Sequence, residues 1–215
     1  MQQHRAGGAM PAFLNILDGF DSMQPTLWDQ FIAELSDILR ALSVRDASGA
    51  EIGGAGLDAW VERTLELSAR GGCVYLAGNG ASASMASHFS ADIAKNAGVR
   101  SMVFTDPALI TCVGNDLSYE DVYAEPLSWH LRPGDMAVLV SSSGNSPNVV
   151  KAARTAREHG GTVVTLSAMG AGNALRSLGD LNIYLPAGTY GQAETGHAAV
   201  LHHWVDCVAR LRPRG

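Results

Sequence analysis

Between residues 26 and 42, the apolar residues Leu27, Phe31, Leu35, Ile38, Leu39 and Leu42 recur at the spacing of a helix that buries one stripe. Thr26 and Asp29 form a capping pair at its start. A second amphipathic stretch over 57–69 predicts another helix, ended by Gly71 and Gly72. Both precede any stretch with strand character. Residues 1–20 therefore read as a flexible tail and 21–70 as a helical arm.

Beyond residue 70 the pattern changes. Short apolar runs, CVYLAG (73–78), SMVFTD (101–106), MAVLVSS (136–142), TVVTLSA (162–168) and LNIYLPA (181–187), alternate with helical or mixed segments, and a last helix is expected over 193–210. Strand and helix in alternation predict an α/β three-layer sandwich around a five-stranded parallel sheet. No linker or repeat divides the chain, so the arm and a domain over 71–213 are expected to form one folded unit.

Composition narrows the partners. Twenty-one acidic against fifteen basic residues give a net charge of −6, and no run of Lys or Arg appears. Neither nucleic acid nor a membrane surface has an electrostatic footprint here. Cys73, Cys112 and Cys207 are an odd set without a C-x-x-C pair, which argues against a disulfide framework and fits a reducing cytoplasm. The opening MQQHRAGGAMPAFLNILDG has no long apolar core, so neither a signal peptide nor a membrane span is expected.

Two strand ends carry candidate chemistry, since ligands of open α/β sheets bind beyond the carboxyl ends of the strands. The first is GNGAS (78–82); the second is SSSGNS (141–146), followed by Pro147 as a first helical residue. Each brings backbone N–H groups, a helix start and hydroxyls to one place, a combination suited to a phosphate monoester. Gly78, Gly80 and Ala83 also fit the G-x-G-x-x-A of a dinucleotide fold, with Asp106 as the ribose acid, but such a site has no use for the serine-rich loop. No Gly-Lys-Ser/Thr follows, which excludes a Walker loop. Serines and glycines that merely turn the chain and cap helices are the bland alternative.

GNGAS, HFSAD (88–92), TD (105–106), VGND (113–116), SSSGNS and ETGHAAVLHH (194–203) stand in an order that resembles the SIS (sugar isomerase) family, in particular its branch acting on sedoheptulose 7-phosphate. The resemblance covers nearly the whole chain to about residue 210. It implies a homotetramer with active sites between subunits, and interconversion of a ketose phosphate and its aldose phosphate through an enediol. The substrate would be sedoheptulose 7-phosphate or a similarly long sugar phosphate. Phosphate would be held by Ser82, Ser141, Ser143 and Ser146, with Asn79, Gly80, Asp106, Asn115, Asp116 and Ser142 completing the substrate site. The family's catalytic carboxylate falls on Asp92 and its catalytic histidine on His202, with Glu194 nearby. Zinc, carried by some relatives, would take His88, Asp92, Glu194 and His202, an N2O2 set suited to that metal.

The isomerisation needs a base and an acid on either side of the substrate. His88 and Asp92 lie four apart, on one helix face. Aspartate at 92 replaces the family's glutamate, glutamate at 194 replaces its glutamine, and Lys95 or Asn96 stands near an arginine of relatives. The longer Glu194 could take over as base or ligand, or cap the last helix. The runner-up function is a non-catalytic phosphosugar-binding or regulatory SIS protein. For His197 and His203 a structural or solvent-exposed role is expected.

Overall fold

The computed structural model describes residues 24–212, so the tail expected over 1–20 lies outside the described residues. The chain divides into a short unit, Met1–Glu34, and a main unit, Leu35–Gly215. In the first, helix α1 (Leu27–Arg40) begins. Its start carries the expected cap. The Asp29 N–H donates to Thr26 Oγ1 (3.1 Å), while the Asp29 carboxylate accepts from the Thr26 N–H (2.8 Å) and hydroxyl (2.7 Å).

The main unit continues with β1 (Ser43–Asp46), α2 (Gly54–Ala69), β2 (Cys73–Gly78), α3 (Ala81–Ala97), β3 (Arg100–Val103), α4 (Pro107–Asp116) and α5 (Ala124–His130). It ends with β4 (Met136–Ser141), α6 (Pro147–Glu158), β5 (Thr162–Ala168), β6 (Leu181–Leu185) and α7 (Tyr190–Leu211). The sheet order is β1-β6-β5-β4-β2-β3. All five expected strands are present and pair in parallel.

The sheet has six strands, however, and two helices do not precede them all. β1 pairs antiparallel with β6, from Ser43 opposite Tyr184 to Asp46 opposite Leu181. SVRD has one apolar residue and is too short to show a two-residue period; tertiary pairing makes it a strand. Glu51 reinforces it by accepting from the Ser43 hydroxyl (2.5 Å) and the Val44 N–H (2.8 Å). β3 is shorter than the run 101–106 suggests. Asp106 instead caps α4, accepting from the Leu109 N–H at 3.0 Å, and Pro107 opens that helix.

Alternation along the strands feeds two cores. On one face, Val74, Leu76, Val138 and Val140 pack with Trp60 of α2, Phe89 and Ile93 of α3, and Leu201 and Trp204 of α7. On the other, Tyr75, Ala77, Ala137 and Leu139 pack with Val113, Leu127, Val149 and Ala153 of α4, α5 and α6. Trp60 and Trp204 stack at 4.4 Å between ring centroids, and the Trp204 indole N–H donates to Thr64 Oγ1 at 3.0 Å. Such a stack adds about 0.5–1.5 kcal/mol to the area it buries. It fixes α7 against α2, which matters because α7 carries the candidate site residues Glu194 and His202. Among the described residues no helix is long and apolar enough to cross a membrane.

Candidate functional site

β2 and β4 are adjacent, and each ends in one of the two polar loops. Gly78 closes β2 where nothing larger fits: a Cβ there would lie 2.6 Å from that of Ser82 and 2.7 Å from the Val140 carbonyl. In the second loop, Gly144 has φ 64°, and a Cβ would collide with the Asn173 amide. The loop is braced from that side. Asn145 Oδ1 accepts from the Ala174 N–H (3.0 Å), and the Gly144 carbonyl accepts from the Leu175 N–H (2.9 Å).

Between the loops lies a hollow of about 270 Å³, lined by Asn79, Gly80, Ala81 and Ser82 from the first loop and Ser141, Ser142, Ser143 and Ser146 from the second. Tyr190 and Glu194 of α7 complete it. The helices that start here, α3 and α6, have no side-chain cap, whereas Asp106 and Thr189 cap α4 and α7. First-turn N–H groups without a cap attract an anion. Ser141 Oγ and Ser146 Oγ, 3.2 Å apart, add hydroxyls. No lysine or arginine lines the hollow, so an anion would be held by dipoles and hydroxyls, with Glu194 as the charged neighbour.

A polar lattice ties the two loops together. Asn79 and Asn148 exchange amide hydrogen bonds, each 2.9 Å. The buried Tyr123 hydroxyl donates to the Gly78 carbonyl at 2.5 Å and lies 3.2 Å from Asn79 Oδ1. Burial pushes that phenol up to about 12, so it stays a donor. Tyr119 reaches the same oxygen at 3.5 Å. Tyr190, Asn148 and Tyr123 were not legible as site residues. Asn148 alone had a signal, since it follows directly on SSSGNSP.

A second cluster sits where α3 packs on α7. His88 Nε2 lies 3.3 Å from Asp92 Oδ2, and the His88 and His202 rings meet edge to face at 5.8 Å between centroids. Phe89, buried below, meets His202 edge to face at 4.7 Å. Helix pairing thus gathers His88, Asp92 and His202, while Glu194, two turns earlier on α7, faces the hollow. Thr189, not Glu194, caps α7, accepting from the Gln192 N–H at 3.2 Å. The described residues contain no set of three or more His, Cys, Asp or Glu arranged to hold a metal ion. The four donors expected for zinc are therefore not assembled as a ligand set.

Asp106 is engaged as the α4 cap, and Asn115 donates to Asp116 (2.9 Å) at the far end of that helix. None of the three lines the hollow. His197 is fully buried, and burial pulls it down to about 4. The Ser167 backbone lies near its ring, but neither ring nitrogen makes a hydrogen bond of good geometry.

Two adjacent strands ending in uncapped helices around a hydroxyl-lined hollow place the molecule among open α/β proteins with a polar site at the carboxyl ends of the strands. The chain belongs to the SIS domain family, whose model matches residues 30–168. It is similar to the phosphoheptose isomerase of Trichlorobacter lovleyi, 32% identical over 153 residues that cover 68% of this chain and 78% of the relative. It is also similar to that of Rhodospirillum rubrum, 38% identical over 138 residues covering 61% and 73%. Among solved structures, the phosphoheptose isomerase of Neisseria gonorrhoeae superposes with a TM-score of 0.69 at 26% identity, over 85% of this chain and 99% of that one.

Proposed function

We propose that this chain is an aldose–ketose isomerase acting on sedoheptulose 7-phosphate or a similarly long sugar phosphate. The observation that carries the reading is the pairing of a phosphate-type hollow with a carboxylate and two histidines on the neighbouring helices α3 and α7. The uncapped starts of α3 and α6, with Ser82, Ser141, Ser143 and Ser146, hold the phosphate. Asp92, oriented by His88, removes a proton from C1 of the ketose. The electron pair forms the C1–C2 double bond of the enediol as O2 takes a proton from His202. Asp92 then returns its proton to C2 while the O1–H proton passes back to His202 and C1 becomes the aldehyde carbonyl. No step is assigned to zinc, because the donors expected for it do not converge in the protomer.

His88 and His202 are exposed on helix surfaces, which accords with a homotetramer that covers them between subunits. Light scattering on the purified protein reads that assembly. A cytoplasmic location accords with three free cysteines. The sequence division into an arm (21–70) and a phosphosugar-binding domain (71–213) puts every functional residue named here in the second part.

The test is solvent-deuterium uptake at C1 or C2 of a panel of ketose phosphates, with zinc or chelator added. Asp92→Asn is expected to lower exchange roughly a hundredfold or more. Glu194→Gln is expected to retain turnover and lower KM, since a neutral amide replaces the charged side chain of the phosphate hollow. Loss of turnover in Glu194→Gln with an active Asp92→Asn would move the base to Glu194. Asp92, one methylene shorter than the glutamate that the family resemblance implies, favours one other reading, a phosphosugar-binding protein without catalysis. Absence of exchange with every sugar and metal condition would select it.

A further inference from the structure

The opposite end of the sheet carries a second polar concavity. β2 runs from Cys73, at this end, to Gly78 at the hollow, about 17 Å away at roughly 3.3 Å per residue. Here a cleft of about 460 Å³ is lined by Arg70, Arg100, Arg132 and His130 over a floor that includes Cys73 and Tyr75. The three arginines come from three places in the chain: the end of α2, the start of β3 and the segment after α5.

Each guanidinium is braced by a backbone carbonyl, for Arg70 and Arg100 one of the cleft's own lining and for Arg132 that of Trp129 beside it. Arg70 Nη2 donates to Gly134 O (2.7 Å), Arg100 Nη1 to Gly71 O (2.8 Å) and Arg132 Nη1 to Trp129 O (3.1 Å). Each has five N–H donors, so most remain unspent. Among the described residues, the ion pairs of the chain involve Arg40, Arg45, His88, Lys151 and Arg157, and none of these three arginines. The carboxylate of the cleft, Asp135, is buried and committed on both oxygens, accepting from the Cys73 N–H (2.8 Å) and the Arg132 N–H (2.9 Å). In a chain of net charge −6, three unpaired and pre-oriented guanidiniums thus converge on one small cleft. Arg70 and Gly134 also border an adjoining hollow lined by Arg63, Glu66 and Asp180, where Asp180 faces Arg157 at 3.7 Å.

We propose that this cleft binds a compact phosphorylated anion with at least two charged groups, of the diphosphate type, at a site distinct from the serine-lined hollow. Guanidinium forks match phosphoryl oxygens two at a time, and three forks around one cleft exceed what a single monoanion can engage. The cleft's size suits a small molecule. Its three arginines form a cup and not a track, so an extended polyanion such as nucleic acid has nothing to follow.

The test is hydrogen exchange and calorimetry on the full chain with inorganic pyrophosphate in physiological salt. Protection is expected in the segments around 70–73 and 130–135. The double variant R100Q/R132Q is expected to weaken that binding by roughly tenfold or more, with turnover at the serine loops unchanged. This inference is therefore independent of the isomerase reading. Protection confined to the serine loops, or equal affinity in wild type and R100Q/R132Q, overturns it. Because both arginines also brace backbone carbonyls, R100K/R132K keeps the charge and removes the fork. It is expected to bind at an intermediate level, and if it binds as wild type the proposed fork recognition fails.

Discussion

His197 shows how one side chain couples the fold to pH. Its ring is enclosed where α7 meets the sheet, and burial lowers it from an ordinary value near 6.5 to about 4. The folded state therefore binds fewer protons than the unfolded state between these values. Its neutral form supports the fold in full above pH 6.5, and that support is lost as pH falls from 6.5 toward 4, by roughly 3 kcal/mol in all. Urea melts of the wild type and His197→Phe across this range are expected to diverge, with the variant losing less stability on acidification; parallel curves would refute it. A structural or exposed role was expected for this histidine, and the structure places it in the core. His203, six residues further along α7, is exposed. At this scale residue type was legible and depth was not, because a histidine looks the same in sequence whether α7 turns it inward or outward.

Elements decide whether the two loops act as one site. The Asn79–Asn148 amide exchange links the turn after β2 to the first turn of α6. Asn148→Ala leaves the Asn79 amide half-satisfied, a loss of about 1–3 kcal/mol. Because that amide borders the hollow, KM for a sugar phosphate is expected to rise several-fold with kcat little changed. Thermal melting and steady-state kinetics check both parts, and Asn148→Gln, which keeps the amide, separates lost bonding from altered packing. The two loops were legible because apolar strands stop abruptly at glycine and serine. The contact of His88 with His202 was not, because periodicity assigns each to a helix face but says nothing of which helices pack. Likewise Asp106 reads as a ligand in sequence, while the turn into α4 uses it as a cap.

For the whole molecule, the sheet separates two polar ends by the length of a strand. The carboxyl end has hydroxyls, helix starts and Glu194; the amino end has arginines. Strand alternation over five runs made the layered architecture readable, since buried parallel strands need long apolar segments. The antiparallel β1 escaped because its stability comes from its partner. β6 is buried along its whole length, and its outer row of backbone groups is covered by four residues. A chain beginning at residue 47 would keep every functional residue named here yet leave β6 as a bare apolar edge, a template for joining strands between copies. Such a truncation is expected to come out of expression as aggregate, while one beginning at residue 35 stays dispersed; size-exclusion profiles of the two would show it. Four residues with almost no hydrophobic signal thus serve as the selvedge that stops the sheet from growing.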